Sequence, residues 1–143
     1  MKVKGLDGKE YVWSLSGFQP KLDDERPRSR YHKQGRTLIK QLFKLEPILE
    51  EVFLPGSFGL YADFYLPRRN LLIEVHGEQH YKFSRLFHDD VYDFRHQQLN
   101  DNRKIQWCEL NKIRYVVLPY NELSEDFNEW TRRINDGLAQ KVS

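Results

Sequence analysis

The sequence contains little cysteine, no long apolar run and almost no net charge. Cys108 is the single cysteine among 143 residues, which excludes an internal disulfide and a zinc site with two thiolates. No stretch approaches the roughly 20 apolar residues of a membrane-spanning helix, and no apolar run occupies the N-terminus, so we expect neither a membrane segment nor a signal peptide. A formal net charge of +2 excludes a general polycation. These absences predict a cytoplasmic protein.

Aromatic side chains are plentiful, and they make up 14% of the residues. Such a content predicts a well-packed fold rather than disorder, and the length fits one domain. We expect an N-terminal strand and basic arm over residues 1–30, followed by the core over residues 31–143.

The predicted core alternates helices and strands. One helix is expected from Tyr31 to about Phe53, with a kink or a split at Pro47. A β-hairpin, a second helix and a strand follow, and Ser124 would cap a last helix. In order, the segments are a hairpin over residues 60–77, a helix over about 91–111, a strand over 113–118 and a helix to about 137. This order predicts a single-domain α/β sandwich with a central mixed β-sheet.

The hairpin is the most informative segment. Two segments rich in strand formers, residues 60–66 and 71–77, flank Pro67-Arg68-Arg69-Asn70, which has the composition of a turn. We expect Leu66 to pair with Leu71 across this four-residue loop.

This register would bring three polar side chains together. Asp63 would lie directly opposite Glu74, and alternation by two would put Glu74 and His76 on one face. Two carboxylates facing each other across strands repel unless a cation lies between them. A hard divalent cation with oxygen ligands would relieve the repulsion, so the hairpin predicts half of a metal-dependent active site.

The same residues resemble a known family. Asp63 on one hairpin strand and Glu74-Val75-His76 on the next resemble the motif of the PD-(D/E)xK nucleases, with His76 in the usual Lys position. The hairpin is particularly similar to those of the Vsr-like, very-short-patch repair endonucleases and of the phage homing endonucleases grouped by the EDxHD motif. The resemblance covers about residues 36–120. It implies a restriction-endonuclease-like core, a DNA endonuclease that uses Mg²⁺ or Mn²⁺, and a bacterial host cell if the protein is phage-encoded.

The resemblance also implies metal ligands. Asp63 would bind the metal, and Glu74 or the Val75 carbonyl would supply another oxygen. A glutamate of the first helix would complete the shell, with Glu50 preferred to Glu46 because it lies nearer the hairpin. On the predicted helix these two glutamates would share one face.

The remaining candidate catalytic residues lie at the end of the second hairpin strand. His76 would activate the attacking water or stabilise the phosphate. Gln79 and His80 follow directly, and His80 is a candidate acid, phosphate contact or metal ligand. An alternative is that His76 and His80 form a pair of zinc ligands.

Basic residues concentrate before and within the first predicted helix. Such clusters contact phosphate backbones, whereas the alternative is a solubilising surface. The predicted DNA contacts are Lys21, Arg26, Arg28, Arg30, Lys33, Arg36 and Lys40, with Arg68 and Arg69 in the hairpin turn and Arg103 and Lys104 on the second helix as weaker candidates.

Three functions therefore stay open. The first is a homing endonuclease of the EDxHD kind, and the second is a repair or recombination nuclease that reads DNA structure. The third is a non-catalytic nucleic-acid-binding module on a degenerate nuclease fold. DNA is the expected partner in the first two. One such site nicks one strand, so double-strand cleavage would need a homodimer or two successive events.

Overall fold

The fold is a mixed α/β arrangement around one four-stranded sheet. A computed structural model describes residues 1–15, 17, 28–82 and 91–142. The described helices are α1 (Arg30–Leu42), α2 (Val91–Leu110) and α3 (Asn128–Leu138). The described strands are β1 (Lys2–Lys4), β2 (Glu10–Val12), β3 (Leu49–Phe53), β4 (Tyr61–Leu66), β5 (Leu71–His76) and β6 (Arg114–Pro119).

The main sheet has the strand order β3-β4-β5-β6. Strands β3, β4 and β5 pair antiparallel, and β6 pairs parallel with β5. The predicted α/β class with a central mixed sheet is therefore confirmed. Since β5 lies between two strands and both faces of the sheet are covered, every residue of β5 is buried.

Two hydrophobic layers hold the sheet between helices. Helices α1 and α3 cover one face, where Ile39 and Trp130 pack against Phe64 and its neighbours. Helix α2 and the N-terminal hairpin cover the other face with Trp107, Cys108, Val3 and Trp13, which pack against Tyr65 and Leu72. Trp107 and Trp130 are both fully buried in these layers.

The prediction of a helix from Tyr31 to about Phe53 is wrong in its second half. Helix α1 ends at Leu42, and residues 49–53 form β3 along the edge of the sheet. Pro47 disfavours a helical conformation in the residue before it, and the following segment gains strand pairing with β4 instead. The glutamate at position 50 therefore lies on a strand.

The N-terminal strand and the start of the last helix also differ from expectation. The N-terminal strand, predicted over residues 10–15, pairs only over β2, as a small hairpin with β1. Helix α3 begins at Asn128 and not after Ser124, so the predicted cap is wrong. The Ser124 hydroxyl donates to Asp126, and Asp126 accepts the backbone N–H of Asn128.

Candidate active site at the end of the hairpin

The predicted hairpin register is confirmed. Leu66 pairs with Leu71, and the pairing continues to Phe64 and Ile73. The turn closes at Asn70, whose φ of 49° is left-handed, a conformation that asparagine tolerates better than most residues. The predicted alternation is confirmed as well, since residues 71, 73 and 75 pack toward α1 and α3, whereas the side chains at 74 and 76 face α2.

At Asp63 and Glu74, side-chain carboxylates accept the hydrogen bonds between the strands in place of backbone carbonyls. The backbone N–H of Asp63 donates to Glu74 Oε2 at 2.6 Å. The backbone N–H of Val75 donates to Asp63 Oδ2 at 2.9 Å. Each carboxylate therefore binds the backbone of the opposite strand, and the two side chains are held close together.

Lys104 of α2 is the cation beside this pair. Its Nζ lies 2.5 Å from Glu74 Oε1, and its side chain is only 14% exposed. Burial alone lowers the pKa of Lys104, but the Glu74 and Asp63 carboxylates outweigh it and raise the pKa above its ordinary value. The sequence placed Lys104 among the weaker phosphate contacts. The structure instead assigns it to the carboxylate cluster, through a long-range contact that no local pattern encodes.

Asp63 is the more accessible carboxylate of the pair. Its side chain is 30% exposed, and its Oδ1 lies 3.7 Å from Nδ1 of His32. Burial and the neighbouring Glu74 raise the pKa of Asp63 well above its ordinary value, although Lys104 opposes them. Negative charge on Asp63 is thus incompletely compensated, and an additional cation there would be favourable.

A buried ion cluster adjoins Asp63 on the α1 side. Glu50 is fully buried on β3, where His32 Nε2 lies 2.5 Å from its Oε1 and Arg36 donates to both of its oxygens at 2.7 and 3.2 Å. Burial raises the pKa of Glu50, but the hydrogen bonds from His32 and Arg36 outweigh it, so the pKa is lowered overall. His32 therefore links Glu50 to Asp63.

The predicted common helical face of Glu46 and Glu50 is wrong. Glu50 lies on β3, whereas Glu46 follows α1 and forms a two-pronged ion pair with Arg69 in the hairpin turn. That Glu50 is a metal ligand stays a prediction, and Glu50 does border the site. Glu46 lies at the opposite end of the hairpin from Asp63.

The start of α1 is fixed over the end of β5. Ser29 caps the helix by accepting the backbone N–H of His32 at 3.0 Å. Gly35 lets the helix approach the sheet, because a Cβ there would meet Val75 Cγ2 at 2.7 Å. His32 was missed in the sequence, although its four-residue spacing from Arg36 places the two on the same face of α1.

On the α2 side, His76 lies in a group with His80 and Asp101. The His76 and His80 rings stack with centroids 4.0 Å apart, and His80 Nδ1 lies 2.8 Å from Asp101 Oδ2. Burial and the neighbouring His80 lower the pKa of His76 to about 3, so its imidazole is neutral near pH 7. Gln79 is half-buried in the turn between the two histidines. Asp101 was missed as a site residue, although it lies one helical turn before Lys104.

The predicted phosphate contacts differ in their exposure and in their neighbours. Arg30, Lys33 and Arg68 are exposed, and Lys40 is half-buried. The prediction is wrong for Arg36, which is buried against Glu50. Others have acidic or aromatic neighbours: Arg28 pairs with Glu51, Arg69 with Glu46, and Arg103 lies over the ring of Phe58. Lys21 and Arg26 lie outside the described residues.

The sequence predicts DNA binding. On that prediction, replacement of both Arg30 and Lys33 by Ala should weaken the affinity for DNA and reduce the dependence of that affinity on salt. Each lost phosphate contact lowers the log–log salt slope by up to about 0.9, and the loss should be similar across sequences because phosphate contacts carry no base information. Titrations of labelled duplexes at several salt concentrations measure this. Lys9→Ala, an exposed lysine on the N-terminal hairpin, is the control. Equal slopes for all three proteins would show that the α1 charges are only a solvated surface.

Comparisons with known proteins identify two viral relatives. The chain is 40% identical over 65 residues to the uncharacterized protein 307L of Invertebrate iridescent virus 6, which covers 46% of this chain and 33% of the relative. It is 28% identical over 96 residues to the uncharacterized protein 033L of Invertebrate iridescent virus 3, which covers 64% of this chain and 50% of the relative. The chain thus matches a third to a half of the length of these relatives.

The other comparisons give no match. No protein-family model matches the chain, and no solved structure matches it. None of the described helices has the length and apolar character needed to cross a lipid bilayer.

Proposed function

We propose that the chain is a metal-dependent DNA endonuclease with a restriction-endonuclease-like core, of the EDxHD homing endonuclease kind. The observation that carries the proposal is the cluster of Asp63, Glu74 and Lys104. It combines two carboxylates and an ammonium group at the end of a buried hairpin. Interior clusters of this kind shift the pKa values of their members, as here for Asp63 and Lys104, and are enriched at functional sites.

The oxygen atoms around Asp63 fit Mg²⁺ or Mn²⁺. Asp63 offers a partly exposed carboxylate whose charge is incompletely compensated. The N–H of Val75 points at Asp63, and the N–H and C=O of a strand residue point to the same side. The Val75 carbonyl therefore lies on the Asp63 side of β5. Hard divalent cations prefer such oxygen ligands, and when bound they neutralise charge on the oxygens of the transferring phosphate.

Glu74 positions Lys104 in this proposal. Its two oxygens each accept one hydrogen bond, one from Lys104 and one from the backbone of Asp63. In the PD-(D/E)xK motif, a lysine at the position of His76 supplies an ammonium group. In this proposal Lys104 of α2 supplies that ammonium group instead. An ammonium fixed in a poorly solvated site stabilises the negative charge that develops on the phosphate.

His76 completes the proposed site as a neutral imidazole. With its pKa lowered to about 3, it is neutral near pH 7 and too weak a base to take a proton efficiently, so its proposed role is to orient the attacking water by a hydrogen bond. His80 and Asp101 hold the ring by stacking and by the hydrogen bond between them.

The ion pair between Lys104 and Glu74 also favours a second candidate function, a nucleic-acid-binding module on a degenerate nuclease fold. Lys104 already compensates Glu74, so the pair is also consistent with a purely structural role. The two candidates differ when binding and cutting of the same DNA are measured with and without EDTA. A binding module gives salt-dependent binding with no metal requirement and no cleavage, whereas an endonuclease loses cleavage in EDTA.

Lys104→Met is expected to reduce the cleavage rate by about 100-fold with little change in DNA affinity, because the lost charge acts on the reacting phosphate. Single-turnover cleavage and equilibrium binding separate the two effects. Lys112→Met removes an exposed lysine just after the C-terminal end of α2 and should leave both unchanged. Weaker binding with an unchanged cleavage rate would instead make Lys104 an ordinary phosphate contact.

A further inference from the structure

We propose that His76, His80 and Asp101 form a binding site for a transition-metal ion such as Zn²⁺, separate from the oxygen site at Asp63. Each of the three residues offers one ligand atom, and these atoms all lie within 4.8 Å of one another. The residues come from the end of β5, the turn after it and α2, so the fold itself brings them together.

An unpartnered nitrogen atom points into this group. His76 is only 5% exposed, yet its Nε2 has no hydrogen-bond partner among the residues that the structure describes. Buried polar atoms are nearly always paired, and a bound water or ion is one of the few arrangements that explain an unpaired one. The nearest carboxylate oxygen is Asp101 Oδ1 at 3.9 Å, which leaves room for a small ion between them.

The spacing of the ligand atoms fits a tetrahedral ion. Zinc–ligand bonds of about 2.0–2.1 Å place neighbouring ligands about 3.3 Å apart in a tetrahedron. His80 Nδ1 lies 2.8 Å from Asp101 Oδ2 and His76 Nε2 lies 3.9 Å from Asp101 Oδ1, and these two distances lie on either side of that value.

The donor set selects the class of metal. Two imidazoles and one carboxylate suit Zn²⁺ and its neighbours in the first transition row, whereas Mg²⁺ prefers oxygen ligands alone. The three residues line an open cavity of about 600 Å³, and Arg133 lines it as well. An ion there would keep a fourth position facing the cavity, as in zinc sites that bind water or a substrate.

The site shares His76 with the proposed active site, but its metal binding does not depend on nuclease activity. Asp101 lies one helical turn from Lys104, which contacts Glu74. When a metal is bound, His76 serves as a ligand and no longer orients the attacking water, and a metal-bound water has a lowered pKa. Because metal binding needs no DNA, it can be present whether or not the chain is a nuclease.

The test is Zn²⁺ and Co²⁺ binding by the full chain without DNA. We expect one tightly bound Zn²⁺ per chain by calorimetry, and a Co²⁺ absorption spectrum typical of a tetrahedral site. His80→Ala and Asp101→Asn should each weaken Zn²⁺ binding by at least 10-fold. His96→Ala, which removes an exposed histidine of α2, and Asp63→Asn should leave Zn²⁺ binding unchanged. Thermal melts of each variant monitor folding.

A direct readout on the unmodified chain avoids dependence on variants that fold poorly. Nitrogen NMR of the imidazoles should show a Zn²⁺-induced shift at Nε2 of His76 and at one nitrogen of His80. Absence of Zn²⁺ binding, a Zn²⁺ affinity unchanged in His80→Ala and Asp101→Asn, or unshifted His76 and His80 resonances in the Zn²⁺-loaded chain would overturn the proposal. Loss of Zn²⁺ binding in Asp63→Asn would contradict the separation of the two sites.

Discussion

Asp63→Asn is expected to slow metal-dependent cleavage of DNA by at least about 100-fold while the protein stays folded. Asp63 is the accessible carboxylate of the cluster, and its neutral isostere cannot supply the charge that binds the cation. Removal of a single group that stabilises developing charge typically lowers the rate by about 10²–10³-fold. Single-turnover cleavage of a plasmid in Mg²⁺ and in Mn²⁺ measures the loss.

The fold should tolerate this change. An asparagine oxygen can still accept the N–H of Val75, and the repulsion from Glu74 disappears. Thermal melting of Asp63→Asn at neutral pH is therefore expected at or above the temperature of the unmodified chain. Asp136→Asn, at an exposed position on α3, is the matched control and should keep full activity. An Asp63→Asn protein as active as this control would refute the assigned role.

Arg36→Leu is expected to have the largest effect on stability. Arg36 is 2% exposed and donates to both oxygens of Glu50. Its removal leaves the fully buried Glu50 carboxylate with fewer partners, and breaking a buried pair in this way typically costs about 3–5 kcal/mol. Urea unfolding followed by circular dichroism measures the difference in the free energy of unfolding.

Arg69→Leu is the matched control for this prediction. Arg69 also forms an ion pair with a glutamate, Glu46, but its side chain is 46% exposed. Exposed ion pairs contribute only about 0–1 kcal/mol, so we expect a correspondingly small change. Similar losses for Arg36→Leu and Arg69→Leu would contradict the assignment of Glu50 and Arg36 to a buried cluster.

The hairpin could be predicted from the sequence because its information is local. The turn composition of residues 67–70 fixes the pairing of Leu66 with Leu71, and alternation by two then determines which side chains meet across β4 and β5. The pairing of Asp63 with Glu74 follows from these two rules alone, before any tertiary contact is known. The need for a nearby cation followed in the same way from the repulsion between the two carboxylates.

Other parts of the site depend on tertiary contacts and were missed for that reason. Apolar residues around position 50 fit a helical stripe as well as an edge strand, and pairing with β4 decides for the strand. Lys104 reaches Glu74 across 30 positions of the chain, a contact set by how α2 packs on the sheet. Arg36 resembles a surface charge in the sequence, but it lies on the buried face of α1.

The most direct measurement of the central claim is cleavage of supercoiled plasmid by the purified full chain in Mg²⁺, in Mn²⁺ and in EDTA. Branched, mismatched and single-stranded DNA complete the series, because a repair or recombination nuclease would prefer them to linear duplex. We expect nicked or linear products in Mg²⁺ or Mn²⁺ that disappear in EDTA and in Asp63→Asn. Intact DNA of every kind in both metals, or cleavage that survives EDTA, would contradict a metal-dependent endonuclease at this hairpin.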